Sequence, residues 1–337
     1  MSIILFILAF LGLTGYLFVT GFHDAPNAAA VPVRTRALTP RIALLVGACL
    51  NFLGVLAGTA ILTSHHSQWV KVPLNNVGLA ILLTAFFAQI VWGLITFWLR
   101  MPSSSTHALF GGLIGAVWAA NESNIATVNP LTESFKSFIL VPFLVLPALV
   151  FFLSWATVFP LSRLTSKAYP RAVHKVSRHA MSISNSAISL IHGIQVGQRA
   201  LLFFLLMCLC ADISLTPLWV IVAILFFALT LAAGTLVGGW RIGHTFAHKM
   251  VQIDPFRGAV AQGTTAIALF LSQAFLHTPV SSSHFASASV LGAGINQRFS
   301  SVRLPIALKV ILTWVATVPA AFCIASLFFL LLSPALK

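Results

Sequence analysis

Two short segments of closely similar sequence carry the side chains best suited to chemistry. Residues 102–107 read Pro-Ser-Ser-Ser-Thr-His and residues 279–284 read Pro-Val-Ser-Ser-Ser-His, an offset of 177 positions. Proline prevents a helix from running through and favours the first turn of a new helix. The hydroxyls that follow cap such a start, where free backbone N–H groups and the positive end of the helix dipole attract anions.

The two helix starts together predict a binding site for a small oxyanion, because clustered hydroxyls supply many hydrogen bonds without bulk. We predict that the anion is bound by Ser103, Ser104, Ser105, Thr106, Ser281, Ser282, Ser283 and Arg199. The alternative for the serine segments is a helix kink whose hydroxyls bond back to the backbone. For Arg199 the alternative is a side chain that snorkels to the membrane interface.

Asp24 is one of five acidic residues in the chain and follows a long apolar run. Ionisable groups at membrane depth are costly and usually functional. Gly21, Pro26 and Asn27 beside it predict a broken or unwound helix, whose carbonyls would bind a cation; an interfacial helix cap is the alternative. The predicted cation-coupling residues are Asp24, Asn27, His23, Gln195 and Gln198, and the predicted proton relays are His107, His192 and His284. Metal-ligand spacing such as H-E-x-x-H is absent from the sequence, so we expect no metal site.

The amino-acid composition indicates the class of protein in which these residues are positioned. Of 337 residues, 59% are hydrophobic and 7% are charged, whereas a soluble domain carries about 25% charged residues. The 19 Lys and Arg against five acids give a net charge of +14, but without the dense basic stripes of nucleic-acid binders. Soluble enzymes and nucleic-acid partners are therefore excluded, and we predict a polytopic protein of the lipid bilayer.

Long apolar segments, each near the length of about 20 residues that crosses a membrane, recur along the chain. They lie near residues 2–20, 42–62, 76–99, 137–159, 182–210, 215–238, 258–277 and 305–333, with shorter ones near 104–120 and 282–297. Basic connections face the cytoplasm by the positive-inside rule, which gives ten crossings of the plasma (inner) membrane with both termini outside. The number of membrane crossings is lower than ten if the two short segments are re-entrant and do not span the bilayer.

The chain also shows an internal repeat. Besides the serine segments, residues 21–28 (GFHDAPNA) align more weakly with residues 193–200 (GIQVGQRA), an offset of 172. Five crossings per copy is an odd number, so the copies are inverted, as in secondary transporters whose site lies near the midplane. We predict an all-α polytopic membrane protein with two inverted-topology repeats and broken or re-entrant helices. The first repeat spans 1–160, a basic cytoplasmic linker 161–180, and the second repeat 181–337.

These motifs resemble those of the inorganic phosphate transporter (PiT) family over about residues 15 to 300. The family's G-A-N-D-V-x-N-A is similar to residues 21–28, its P-V-S-S-T-H and P-V-S-T-T-H to residues 102–107 and 279–284, and its G-G-W-R-I to residues 238–242. The resemblance implies uptake of inorganic phosphate driven by sodium or protons, and a homodimer. A related group moves sulfate.

The departures from the family pattern concern the coupling ion. His23 stands where the family has Asn, Gln195-Val196 replaces an Asn-Asp pair, and Gln262 replaces an acid. Because two expected carboxylates are neutral while the hydroxyls remain, we favour H+ over Na+ as the coupling ion and expect no cofactor.

Phosphate is the favoured substrate, since it still carries a proton near neutral pH that a carboxylate such as Asp24 accepts. A sulfate permease and a non-transporting sensor are the alternatives. An enzyme is not expected, because acid partners for a Ser-His triad are lacking from the sequence.

Overall fold

The computed structural model describes residues 1–61, 72–127, 141–276, 279–295 and 302–336, and its named elements in these ranges are helices. The helices are α1 (Ser2–Arg34), α2 (Pro40–Ala60), α3 (Asn76–Trp98), α4 (Ser105–Glu122), α5 (Val141–Leu164), α6 (Pro170–Cys210), α7 (Pro217–Val237), α8 (Trp240–His244), α9 (Pro255–Leu271), α10 (Ser282–Ile295) and α11 (Leu304–Leu332). Short π-helical turns follow α8 and α9, at Thr245–Met250 and Ser272–Leu276.

Eight helices of the described part of the chain are long and apolar enough to cross a membrane. They are α1, α2, α3, α5, α6, α7, α9 with its π-helical extension, and α11. This confirms the prediction of an all-α polytopic membrane protein. The two shorter predicted segments are α4 and α10, of 18 and 14 residues. At about 1.5 Å per residue α10 is about 21 Å long, which is less than the hydrocarbon thickness of about 30 Å.

The predicted break around Asp24 is wrong. α1 runs without interruption from Ser2 to Arg34 and contains Pro26 and Pro32 within the helix. Proline is tolerated inside a membrane helix when neighbouring helices hold it, and α1 is packed against α3, α6 and α7. The second aligned segment is also continuous, since α6 runs from Pro170 to Cys210.

The stretch 161–180, predicted as a linker, is mostly helical. α5 ends at Leu164 and α6 begins at Pro170, so residues 165–169 alone lie between the two helices. Proline favours the first turn of a helix, and Ser177, Met181 and Ser184 follow at helical spacing on a buried face. The bases of this stretch lie on the exposed face. The two repeats and their boundaries stay predictions.

Packing brings four helices together around the polar segments. α1 packs against α3, α7 and α6, while α6 packs against α2, α9 and α1. α4 lies between α3 and α11, and α10 lies between α9 and α5 and also contacts α1. The starts of α4 and α10, the middle of α1 and the middle of α6 are thereby placed around one interior region.

Candidate functional site

The two serine segments begin helices, as predicted. Ser104 is the N-cap of α4, and its Oγ accepts a hydrogen bond from the backbone N–H of His107 at 3.1 Å. Ser281 has the same role at α10, since its Oγ accepts from the N–H of His284 at 3.2 Å. These two hydroxyls serve the helix ends. The hydroxyls beside them are therefore the better placed to bind a ligand.

Asp24 lies at the centre of a buried polar cluster. Its Oδ1 accepts a hydrogen bond from Ser283 Oγ at 3.0 Å and lies 3.3 Å from His23 Nδ1. Its Oδ2 lies 3.4 Å from His192 Nε2 on α6. The residue is 8% exposed and α1 continues to Arg34, so Asp24 is not an interfacial helix cap. The carboxylate thus joins α1, α6 and the start of α10.

Asn27 lies one helical turn beyond Asp24 and faces the same helix start. Its Nδ2 donates to Ser282 Oγ at 3.1 Å and to Ser283 Oγ at 2.9 Å. Its backbone carbonyl accepts from Gln262 Nε2 at 3.4 Å. Residues at i and i+3 share one helix face, so Asp24 and Asn27 together present acceptor and donor groups to α10.

His23 connects Asp24 to the first serine segment. Its Nε2 lies 3.1 Å from Thr96 Oγ1 and 3.3 Å from Ser103 Oγ. The Thr96 and Ser103 hydroxyls are themselves 2.9 Å apart. Sequence reasoning missed Thr96, because a single threonine near the end of an apolar helix carries no motif. The carboxylate of Asp24 is therefore connected to the first serine segment through His23 and to the second directly through Ser283.

His192 extends the cluster to two more helices. Its Nδ1 is 3.0 Å from Asn51 Oδ1 on α2, and Asn51 Nδ2 donates to Thr235 Oγ1 on α7 at 3.0 Å. Asn51 and Thr235 were also missed, being isolated polar residues in apolar spans. A cavity of about 10 Å³ borders Asp24, Asn27, Asn51 and His192. That space holds about one water molecule, so a larger anion enters only when the surrounding helices separate.

His107 and His284 form a separate pair, although they occupy equivalent positions in the two segments. Their rings stack with centroids 4.8 Å apart and an interplanar angle of 16°. Phe143 and Trp314 enclose the pair, at 5.2 Å from His107 and 4.3 Å from His284 respectively. Of the three predicted relay histidines, His192 alone contacts Asp24 among the contacts of the described residues.

The structure brings some of the predicted site residues into one cluster and leaves others outside it. The cluster contains His23, Asp24, Asn27, Ser103, His192, Ser282 and Ser283. Gln198 instead accepts from Gln273 Nε2 at 3.2 Å. The hydroxyls of Ser105 and Thr106 are buried at the start of α4, and Ser105 Oγ has no partner in the described part of the chain. Arg199 is 2% exposed and does not snorkel to a surface.

Comparison with known proteins decides the family. A sequence profile described as the phosphate transporter family matches residues 20–325. This chain belongs to the phosphate transporter family. A probable low-affinity inorganic phosphate transporter of Bacillus subtilis (strain 168) is 31% identical over 337 residues, covering 98% of each chain. One of the same description from Rhizobium meliloti (strain 1021) is 32% identical over 321 residues, covering 92% of this chain and 91% of its own.

A solved structure shares the fold of this phosphate transporter family member. A protein titled the sodium-dependent phosphate transporter superposes with a TM-score of 0.76, covering 98% of this chain and 99% of its own, at 16% identity. At that identity the likeness concerns the fold alone. The named relatives are transporters, so the chain belongs to a family of multi-pass transporters and not of enzymes, as the sequence predicts.

The positions at which this member departs from the family pattern lie in or beside the cluster. His23 contacts Asp24 directly, and Gln262 contacts the backbone of Asn27. Val196, which stands where the family has Asp, is fully buried on α6. At these positions the resemblance implies an Asn amide and a carboxylate. This chain instead has the imidazole of His23 and the amide of Gln262.

Proposed function

We propose that this protein takes up inorganic phosphate across the plasma membrane as a secondary transporter driven by protons. Membership of the phosphate transporter family and relatives named as inorganic phosphate transporters support the substrate. The contacts of Asp24 support the coupling ion. The observation that carries the proposal is the contact of His192 Nε2 with Asp24 Oδ2 at 3.4 Å, with the other ring nitrogen of His192 held by Asn51.

The chain of donors begins at Thr235. Its hydroxyl donates to Leu231 O at 2.9 Å, so it accepts from Asn51 Nδ2 at 3.0 Å. The Asn51 amide is thereby oriented with Oδ1 towards His192 Nδ1, which must carry the donated proton at 3.0 Å. The other ring nitrogen, Nε2, faces Asp24 Oδ2 at 3.4 Å. Two unprotonated acceptors at that distance repel, so one further proton belongs to this pair.

A proton in this place supplies a coupling mechanism. Imidazole and carboxylate side chains are common carriers of protons in proteins. Proton entry to the His192–Asp24 pair neutralises the carboxylate that would repel an incoming anion. We therefore infer that a proton occupies the His192–Asp24 pair before phosphate enters the site.

Phosphate binding is assigned to the hydroxyls at the two helix starts that do not serve as caps. Ser282 and Ser283 contact Asn27 and Asp24, while Ser105 and Thr106 occupy the equivalent positions, 177 residues earlier, at the start of α4. Helix starts favour anions through their free N–H groups. Phosphate retains a proton that an oxygen of Asp24 accepts, whereas sulfate offers no proton and cannot form this hydrogen bond. This asymmetry favours phosphate over sulfate.

The packing of the helices supports two structurally equivalent halves. We pair α1 with α6, α2 with α7, α3 with α9, α4 with α10, and α5 with α11. The main contacts between two helices then have equivalent contacts between their counterparts. The α1–α7 and α1–α3 contacts correspond to α6–α2 and α6–α9. The α3–α4 and α4–α11 contacts correspond to α9–α10 and α10–α5. This correspondence supports the predicted repeats, which in secondary transporters rock against each other around the site.

Glycines at equivalent positions support the same pairing. Gly115 on α4 and Gly292 on α10 are 177 residues apart, the offset of the serine segments. A Cβ atom on Gly115 would collide with the carbonyl oxygen of Phe322 on α11, and one on Gly292 would collide with that of Phe151 on α5. Each half thus uses a glycine at the same place to let the serine-led helix approach its neighbour closely.

Counterflow of labelled phosphate in proteoliposomes tests the proposed function. Vesicles loaded with unlabelled phosphate are expected to accumulate labelled phosphate transiently and with saturation, because a carrier exchanges its substrate across the membrane. External arsenate, a close analogue of phosphate, should compete, and sulfate should compete weakly. Sulfate competition equal to that of phosphate would support a sulfate permease instead. Flux that neither saturates nor shows counterflow would contradict a carrier.

A further inference from the structure

Three buried polar side chains lie apart from the Asp24 cluster and have unused hydrogen-bonding atoms. We call Thr20 on α1, Gln89 on α3 and Arg199 on α6 the polar layer. Their exposures are 0%, 0% and 2%. In the described part of the chain, Thr20 Oγ1, both amide atoms of Gln89, and Nε and Nη1 of Arg199 have no hydrogen-bond partner. Buried polar groups in folded proteins are normally paired, so these atoms need polar partners that the described part of the chain does not supply.

Ring contacts on the same three helices fix the position of the polar layer. Tyr16 on α1 packs on Phe86 of α3 with ring centroids 5.9 Å apart, and Phe86 packs on Phe203 of α6 at 5.4 Å. We call these three residues the aromatic triad. Thr20 follows Tyr16 by four residues, Gln89 follows Phe86 by three, and Arg199 precedes Phe203 by four. Such spacings place each polar residue one turn from a triad member on the same helix face.

The direction of each helix shows that the polar layer lies between the triad and the Asp24 cluster. α1 and α3 run parallel, since Tyr16 meets Phe86 while His23 meets Thr96 further along both helices. α6 runs the opposite way, since Phe203 belongs to the triad and His192 reaches Asp24. Thr20, Gln89 and Arg199 each fall between these two levels. Thr20 is thus about one turn from Asp24, while Gln89 and Arg199 are about two turns from Thr96 and His192, all on the side closed by the triad.

The charge of the polar layer indicates the class of ligand. Arg199 has no ion-pair partner in the described part of the chain. The carboxylate oxygens of Asp24 already contact His23, His192 and Ser283. A buried guanidinium without a counter-ion is strongly unfavourable. The unpaired groups are a charged donor, a hydroxyl and an amide that offers both N–H donors and a carbonyl acceptor. A protonated tetrahedral oxyanion satisfies all three, because its oxygens accept from the donors and its P–OH donates to the amide.

We propose that Thr20, Gln89 and Arg199 form a second oxyanion subsite, which phosphate occupies between the aromatic triad and the Asp24 cluster. The subsite rests on the proposed phosphate transport. The subsite gives Arg199 a partner, and it places a second phosphate position one to two helical turns from the Asp24–His192 pair. Tyr16 of the aromatic triad lies one turn from Thr20 on α1, and its buried hydroxyl is also without a partner in the described part of the chain.

Shape-preserving substitutions test the subsite. Thr20→Val and Gln89→Leu remove the polar atoms with little change in volume. Removing an unsatisfied buried group is neutral or stabilising, so we expect an unchanged or higher Tm without phosphate. The KM for phosphate is expected to rise about tenfold in each variant, the loss that follows removal of one hydrogen bond to a charged ligand. The rise in Tm that phosphate produces in the wild-type protein should be reduced accordingly.

Thr84→Val is the matched control. The Thr84 hydroxyl is buried in α3 like that of Thr20 in α1, but it donates to Ala80 O at 2.9 Å and Ile81 O at 3.1 Å. We expect its KM to equal that of the wild-type protein. A lowered Tm without phosphate in both Thr20→Val and Gln89→Leu, or an unchanged KM in both, would overturn the subsite. Absence of phosphate counterflow in the wild-type protein would instead refute the proposed function itself.

Discussion

Asp24→Asn is expected to abolish proton-driven accumulation of phosphate while leaving the protein folded. An amide has the size of the carboxylate, accepts the hydrogen bond from Ser283 through its oxygen, and donates to His192 Nε2 through its nitrogen. The hydrogen-bond chain therefore closes without an exchangeable proton. In proteoliposomes with an imposed pH gradient, we expect accumulation to fall to the level of vesicles without protein.

Asp212→Asn is the matched control for this substitution. Asp212 is exposed, follows α6, and has a left-handed backbone with φ of 54°, a conformation that Asn adopts readily. The Asp212→Asn variant should accumulate phosphate to the same level as the wild-type protein. Wild-type accumulation by Asp24→Asn would reject the coupling role assigned to Asp24. Loss of thermal stability together with loss of transport would indicate a structural role instead.

His192→Gln is expected to separate exchange of phosphate from its accumulation. The Gln amide reaches Asp24 with an N–H donor in place of His192 Nε2, but it neither gains nor loses a proton near neutral pH. A symporter that moves one proton with each phosphate sustains about tenfold more accumulation per unit of pH gradient. We expect this factor to be lost in His192→Gln, while counterflow of labelled phosphate continues.

The control for His192→Gln is the same change at His179, which lies exposed near the start of α6. His179→Gln should retain both accumulation and counterflow. If His192→Gln also retains accumulation under the pH gradient, the exchangeable proton does not reside on the Asp24–His192 pair. If counterflow is lost as well, His192 is required for binding phosphate.

The sequence predicted the parts of the site that depend on local chemistry. Proline followed by hydroxyls predicted the starts of α4 and α10, because both features act within one helical turn. An acid in an otherwise apolar region predicted Asp24 as a site residue, and Asp24 lies at the centre of the buried polar cluster. Both signals are visible without knowing which helices are neighbours.

The remaining parts of the site depend on tertiary packing. Gly21 and Pro26 predicted a broken first helix, yet contacts with α3, α6 and α7 hold α1 continuous. Thr96 and Asn51 are single polar residues in apolar helices. They can be recognised as members of the cluster only once packing places them beside His23 and His192. The predicted relay residues His107 and His284 stack on each other, which no spacing within either segment indicates.

Uptake of labelled phosphate into proteoliposomes under imposed gradients tests the central claim most directly. One set of vesicles has an acidic exterior and no sodium, and a second set has an inward sodium gradient at equal pH on both sides. We predict accumulation of phosphate in the first set, rising about tenfold per pH unit for one proton per phosphate, and none in the second. Sodium-dependent accumulation that ignores the pH gradient would contradict coupling by a proton at Asp24 and His192.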